Sequence, residues 1–154
     1  MSDNVLLTDS VKALIGRLMW DPETALVRDS DILRYHEALG DPMIIRDDAG
    51  VLLAPPLFLP PFHHGGTIGE DGRRSKPGEL DIDLPVKRRL MAGCDIRFDN
   101  PIRAGDTITA TTTIANLTEK QGSTGPMLLI ETATVYTNQH GAVNRVETWV
   151  VIRR

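Results

Sequence analysis

The chain has 154 residues, 41% hydrophobic and 25% charged, which suits one packed domain and is too short for two of ordinary size. Its formal net charge of −4 leaves no basic surplus for sequence-independent phosphate binding, which counts against nucleic acid as a partner. A lone Cys94 excludes an internal disulfide and a cysteine zinc cluster; the polar N-terminus and the lack of any apolar run near about 20 residues set the expectation of a cytoplasmic protein.

Residues 9–19 are predicted to form a short helix, with Ser10 as a cap and Val11, Leu14, Ile15 and Leu18 at helical spacing. Trp20-Asp21-Pro22 ends it, because proline cannot continue the ladder. A second helix is predicted over 30–39, capped by Asp29 or Ser30, with Ile32, Tyr35 and Leu39 on its apolar face and Gly40 as its left-handed stop. Four prolines within 54–61 exclude a strand there, and the glycine-rich, charged stretch 63–80 reads as a mobile surface loop. From Lys87 onward the pattern changes to strands, at 89–98, 106–118, 127–137 and 143–153. The turns between them fall at Pro101–Gly105, Gly122–Pro126 and Gln139–Gly141, short enough to favour antiparallel pairing. Long antiparallel strands after helical material indicate an α+β fold in which the sheet buries a helix on one face.

Two stretches carry a resemblance. One is Tyr35-His36-Glu37-Ala38-Leu39-Gly40-Asp41 followed by Ala54-Pro55-Pro56-Leu57-Phe58-Leu59. The other runs from Arg88 through Pro101-Ile102-Arg103-Ala104-Gly105-Asp106 to Glu119-Lys120-Gln121-Gly122-Ser123-Thr124-Gly125-Pro126. In order and spacing these segments resemble the MaoC-like (R)-specific enoyl-CoA hydratase/dehydratase family, and within it an N-terminal-type hotdog domain such as the first half of 3-methylfumaryl-CoA (mesaconyl-CoA) hydratases. The resemblance implies one hotdog domain over 1–154, with 1–23 as a helical N-terminal extension and a long antiparallel sheet wrapped around a central helix. It also implies reversible addition of water to a 2-enoyl thioester of coenzyme A or an acyl carrier protein, with no metal or redox cofactor. Two hotdogs of this kind pair edge to edge, as a homodimer or with a separate catalytic subunit.

Hydration needs a base for water, an acid for the alpha carbon and a donor for the thioester carbonyl. The family places its Asp and His in Gly-Asp-x-Asn-Pro-x-His. Here Gly40-Asp41 keeps the opening, but Pro42-Met43-Ile44-Ile45 follows and Arg46 stands where the His would fall. Asp41 is therefore a catalytic candidate, with His63 and His64 as the imidazoles that could replace the missing one. Pro56, Leu57 and Phe58 are candidates for the acyl pocket, and Lys87, Arg88 and Arg89 for the phosphates of coenzyme A. His36 and His140 read as surface residues and Cys94 as a small buried hydrophobe, while Trp149 suits a core or a subunit interface equally. The leading expectation is a hydratase/dehydratase subunit that relies on a catalytic hotdog. The alternatives are a self-sufficient homodimeric hydratase, a hotdog thioesterase, and an acyl-CoA-binding hotdog without turnover.

Overall fold

The computed structural model describes residues 6–62, 82 and 84–154. The elements are α1 (Asp9–Lys12), β1 (Glu23–Leu26), α2 (Asp29–Leu39), β2 (Arg89–Phe98), β3 (Thr107–Gly122), β4 (Gly125–Thr137) and β5 (Val143–Arg153). All five strands join one antiparallel sheet in the order β1-β3-β4-β5-β2. The second and fifth strands have the bounds the sequence predicts. β3 and β4 run further, closing across Ser123-Thr124 with Gly122 opposite Gly125. Gly125 takes φ +122°, a conformation open to glycine and strained for other residues.

Alternation decides which side of the sheet is buried. Ile108, Ala110, Thr112 and Ile114 of β3 point inward, as do Leu128, Ile130, Thr134 and Tyr136 of β4. Between Ile114 and Asn116 the register shifts by one residue. That bulge reverses the parity, so Leu117 enters the core and the polar Asn116 stays out.

The first predicted helix is corrected to a single turn. Thr8, not Ser10, caps it by accepting from the Val11 amide. The chain then turns through Gly16 at φ +84°, whose amide donates to the Ile114 carbonyl at 2.8 Å. Ile114 N–H returns a bond to Arg17, and Met19 N–H donates to Thr112. Edge pairing with β3 thus overrides the helical spacing of residues 13–18. Together with β1, which the sequence does not announce, this segment covers the outer edge of β3.

The helix α2 starts one residue earlier than predicted. Its N-cap is Arg28, which makes no side-chain capping bond, in place of Asp29 or Ser30. Gly40 closes it at φ 65°, with Gly40 N–H on Glu37 and Asp41 N–H on His36. Its buried residues are Ile32 and His36, one helical turn apart. Two expectations are corrected here: Leu39 is 62% exposed and His36 only 6%. Leu39 sits in the last turn, outside the cluster that Ile32 joins.

The inner face carries two hydrophobic clusters. One gathers Leu6, Val11, Leu84, Ile114, Leu117, Leu128 and Ile130. The other gathers Val27 and Ile32 with Leu52, Phe58, Ile102, Ile108, Ala110 and Tyr136. Between them along β3 and β4 lie Thr112 and Thr134, hydroxyl to hydroxyl at 2.8 Å. On β5 this belt continues with Arg145 and Glu147, a buried ion pair. Trp149 Nε1–H donates to Glu147 Oε2 at 3.0 Å and the Tyr136 hydroxyl to the same oxygen at 3.4 Å. The Arg145 guanidinium lies 5.0 Å from the centre of the Tyr136 ring. Cys94, expected to be buried, is exposed, because β2 is the edge strand beyond β5.

Replacing Leu128 by Ala empties a fully buried position and is expected to cost about 2–5 kcal/mol, against under about 0.5 for Leu39→Ala. Urea unfolding of the two variants checks this, and equal losses would refute the core assignment. Burial, with the Glu147 charge, pushes the Tyr136 hydroxyl up to about 12 from 10.0. The folded state therefore keeps a proton that the unfolded chain releases, so this contribution is complete below pH 10 and is lost as pH rises through about 12. Alkaline unfolding of Tyr136→Phe should show a shallower dependence on pH in that window than the parent; matching slopes would contradict it.

Candidate functional site

A cleft of about 270 Å3 opens where β2 ends and β5 begins. Its walls are Ala54-Pro55-Pro56 on one side, the Phe98–Ile102 turn on the other, and Asn144 and Arg145 behind. The turn is stitched to β5: Asp99 and Asn100 amides both donate to the Asn144 carbonyl, at 2.9 and 3.2 Å. Asn144 Nδ2 donates to the Pro101 carbonyl at 3.0 Å, and Asn100 Nδ2 to Val143 at 2.7 Å. The opposite wall is fixed by Ala54 N–H on the Ile102 carbonyl and by Arg145 Nη1–H on the Pro56 carbonyl at 3.2 Å. Proline rings in this wall hold its shape without spending backbone donors.

The side chains facing the cleft are mainly apolar. Among the described residues its one carboxylate is Asp99, which Arg97 clasps through two bonds of 2.8 and 3.0 Å, and this ion pair lowers its pKa from the usual carboxylate value. A carboxylate held this way is a poor proton acceptor near neutral pH. Arg145 is already neutralised by Glu147. The shape and lining suit an apolar chain with polar groups at one end, and among the described residues the lining offers no free acid or base.

The site residues expected from sequence fall in separate places. Pro56 lines the cleft. Leu57 is 59% exposed and turned away from it, while Phe58 is buried in the core, edge-on to Tyr35 at 5.7 Å between ring centres. Lys87, Arg88 and Arg89 are exposed at the opposite end of β2. Asp41 follows the helix stop, outside the cleft, and accepts from the Met43 amide at 2.9 Å. His63 and His64, like nearly all of the predicted loop 63–80, lie outside the described residues.

Among the described residues, the histidine–carboxylate pair is His36 with Asp41: Nδ1 lies 3.4 Å from Oδ2. This imidazole lies on α2, five residues before Asp41, not at position 46 in the loop that follows. Both ring nitrogens of His36 are shielded from solvent and make no hydrogen bond. Sequence reading passed over this pair, although His36 stands four residues from Ile32 on the same stripe. It also passed over Arg145, whose alternation with Glu147, Trp149 and Val151 places a charged pair on the inner face.

Residues 13–146 match the family model described as the FAS1-like, dehydratase domain region. Mesaconyl-C(4)-CoA hydratase of Chloroflexus aurantiacus is 33% identical over 81 residues, covering 49% of this chain. The chain spans 28% of that relative's length. Among solved structures it is similar to the ChsH1-ChsH2 complex from Mycobacterium tuberculosis, with TM-score 0.59 and 18% identity over 86% of this chain and 82% of the other. It is similar also to the HadBC (3R-hydroxyacyl-ACP dehydratase) complex from the same organism, at 0.57 and 18% over 90% and 96%. The MaoC-like dehydratase from Rhodospirillum rubrum follows at 0.56 and 20% over 88% and 93%. At these identities the structural likenesses establish the α+β hotdog fold. With the family match over residues 13–146 added to that fold, the chain belongs to the FAS1-like dehydratase domain family, a MaoC-like hotdog group.

Proposed function

We propose that the chain is a subunit of an enoyl-CoA hydratase or 3-hydroxyacyl-CoA dehydratase, paired with a second hotdog that supplies the Asp/His dyad. The observation that carries this reading is the cleft between Pro55-Pro56 and the Phe98–Ile102 turn. It suits an acyl chain, yet its only carboxylate is locked by Arg97 and its arginine by Glu147. Binding is therefore local to this chain and proton transfer comes from elsewhere. The partial identity to mesaconyl-C(4)-CoA hydratase supports a thioester of coenzyme A as the substrate. The heteromeric make-up of the ChsH1-ChsH2 and HadBC complexes supports a non-identical partner. In this reading the reaction draws on no cofactor beyond the thioester.

The test is loss of enoyl-thioester absorbance across short, branched and long 2-enoyl-CoA substrates, with the chain alone and with a hotdog that keeps the full Gly-Asp-x-Asn-Pro-x-His loop. Turnover is expected only in the mixture, without release of free thiol. Thiol release would replace this reading with a thioesterase, and tight binding without turnover in either sample would replace it with a binding protein. In the active mixture, Phe98→Ala removes a partly exposed cleft wall and is expected to raise KM about tenfold, equivalent to about 1.4 kcal/mol, with kcat little changed. A fall in kcat with KM constant would place the acyl group elsewhere.

A second reading rests on the His36–Asp41 contact: a self-sufficient hydratase in which these two, rather than a partner's residues, move the protons. It requires turnover by the chain alone, abolished by Asp41→Asn and by His36→Asn while thermal unfolding stays cooperative. Full activity in both variants would end it.

A further inference from the structure

An antiparallel sheet with one solvated face ordinarily turns polar side chains outward, and the two middle strands of this sheet do not. On the outer face β4 and β5 pair Val135 with Val146, Ala133 with Thr148, Glu131 with Val150 and Leu129 with Ile152. All of these are part-exposed, and those of β4 alternate with the buried Leu128, Ile130, Thr134 and Tyr136. The border is different. On the same rungs β3 brings Thr111, Thr113, Asn116 and Thr118. β2 brings Asp95 and Arg97, and it places Gly93 beside Val150. A Cβ on Gly93 would meet nothing within 4 Å, so among the described residues no chain lies over that rung. An aliphatic strip with a polar rim is the anatomy of a docking surface.

One charge stands inside the strip, and it selects the occupant. Glu131 has Val150 across the rung and Leu129 and Ala133 on either side along its own strand. It forms no ion pair with another described residue. Covering a carboxylate with apolar surface is costly unless that surface brings a cation. A second copy laid strip on strip brings another Glu131 and no cation to answer it. The cations on this face, among them Arg97 and Lys120, stand at its margins, and Arg97 is held by Asp99. Dimensions narrow the choice further. The strip runs from Val135 to Leu129, roughly 20 Å of strand, and two strands with their side chains span about 10 Å. These are the length of about 14 helical residues and the width of one α-helix. A helix with an apolar stripe at i, i+3, i+4 and i+7 covers such a surface, and one lysine or arginine in that stripe meets the carboxylate.

We infer that the outer face of β4 and β5 docks an amphipathic α-helix of a partner protein, with a single lysine or arginine of its apolar stripe set against Glu131. The inference stands apart from the hydratase reading, because Arg145 at the back of the cleft belongs to the opposite, inner side of the sheet.

The probes are two fluorescent synthetic helical peptides of about 16 residues with a leucine stripe, one carrying lysine at its centre and the other glutamate. Their anisotropy is followed against the purified full chain. The lysine peptide is expected to bind at least about tenfold more tightly than the glutamate peptide, and more weakly as salt rises. Glu131→Lys is expected to reverse the preference. Val150→Asp is expected to weaken both peptides at least tenfold; should it unfold the chain, the part-exposed Glu131→Lys still decides the question. Leu39→Ala, on the exposed end of α2, is expected to leave both affinities within twofold. The inference falls if neither peptide binds the parent, if both bind it equally, or if the preference survives Glu131→Lys. It falls also if Leu39→Ala weakens binding as much as Val150→Asp does. Sedimentation of the parent alone reads the other occupant: a dimer that Val150→Asp dissolves would replace the helix with a second copy. Turnover is not read in any arm, so this inference and the hydratase reading fail separately.

Discussion

A guanidinium only 5% exposed on the inner face of a sheet needs a counter-charge within reach, and Glu147 supplies it to Arg145 from two residues along the same strand. Much else follows from that pair. With its charge met, Arg145 spends a donor on the Pro56 carbonyl and lays its plane over Tyr136. It thereby ties the proline segment to β5 and ties β5 to β4. The second oxygen of Glu147 gathers Tyr136 and Trp149. Remove the carboxylate and a buried cation stands alone between two apolar clusters, at the back wall of the cleft. The polar belt is thus a structural keystone: Glu147 is committed to Arg145, Tyr136 and Trp149, while Arg145 Nε stays buried without a hydrogen bond.

Chemical character changes along the length of β2. One end opens into an apolar cleft held by the Asn100–Asn144 stitching. The other end concentrates positive charge where β2 and β5 begin and finish together. A ligand of ordinary reach meets one end or the other. At the cleft end Arg97 holds Asp99 through two bonds and so braces the turn.

The bounds of β2 and β5 and the glycine stop of α2 were legible, because alternation, β-branched density and a left-handed cap are local signals. β1 was not: Glu23–Leu26 holds four residues, and it becomes a strand only because β3 offers an edge. The first helix misread has the same origin, since Gly16 and Arg17 prefer the Ile114 backbone to another helical turn. His36 was taken for a surface residue on polarity alone, against its spacing from Ile32. Arg153 and Arg154 could join Lys87, Arg88 and Arg89 only through strand register, which no run of neighbouring residues encodes. The family resemblance came from segment order, which encodes no side-chain contact: Pro56 lines the cleft, Leu57 and Phe58 do not.

The strand order also dictates a sequence of events. β3, β4 and β5 form a meander of near neighbours, joined by a two-residue turn and a short loop. β1 and β2 are remote from their partners in the chain: β2 must wait for β5, with the entire meander between them. Loop closure over such separations is slow relative to hairpin formation. The meander therefore assembles first and the flanking strands dock onto it late, an order that pulsed hydrogen exchange reads directly. The outer edge of β2 comes into being only at the last step. Until then β5 itself is the bare edge, carrying Val146, Val150 and Ile152 on one side and Val151 on the other. The period of greatest risk of wrong association is thus the interval before β2 arrives.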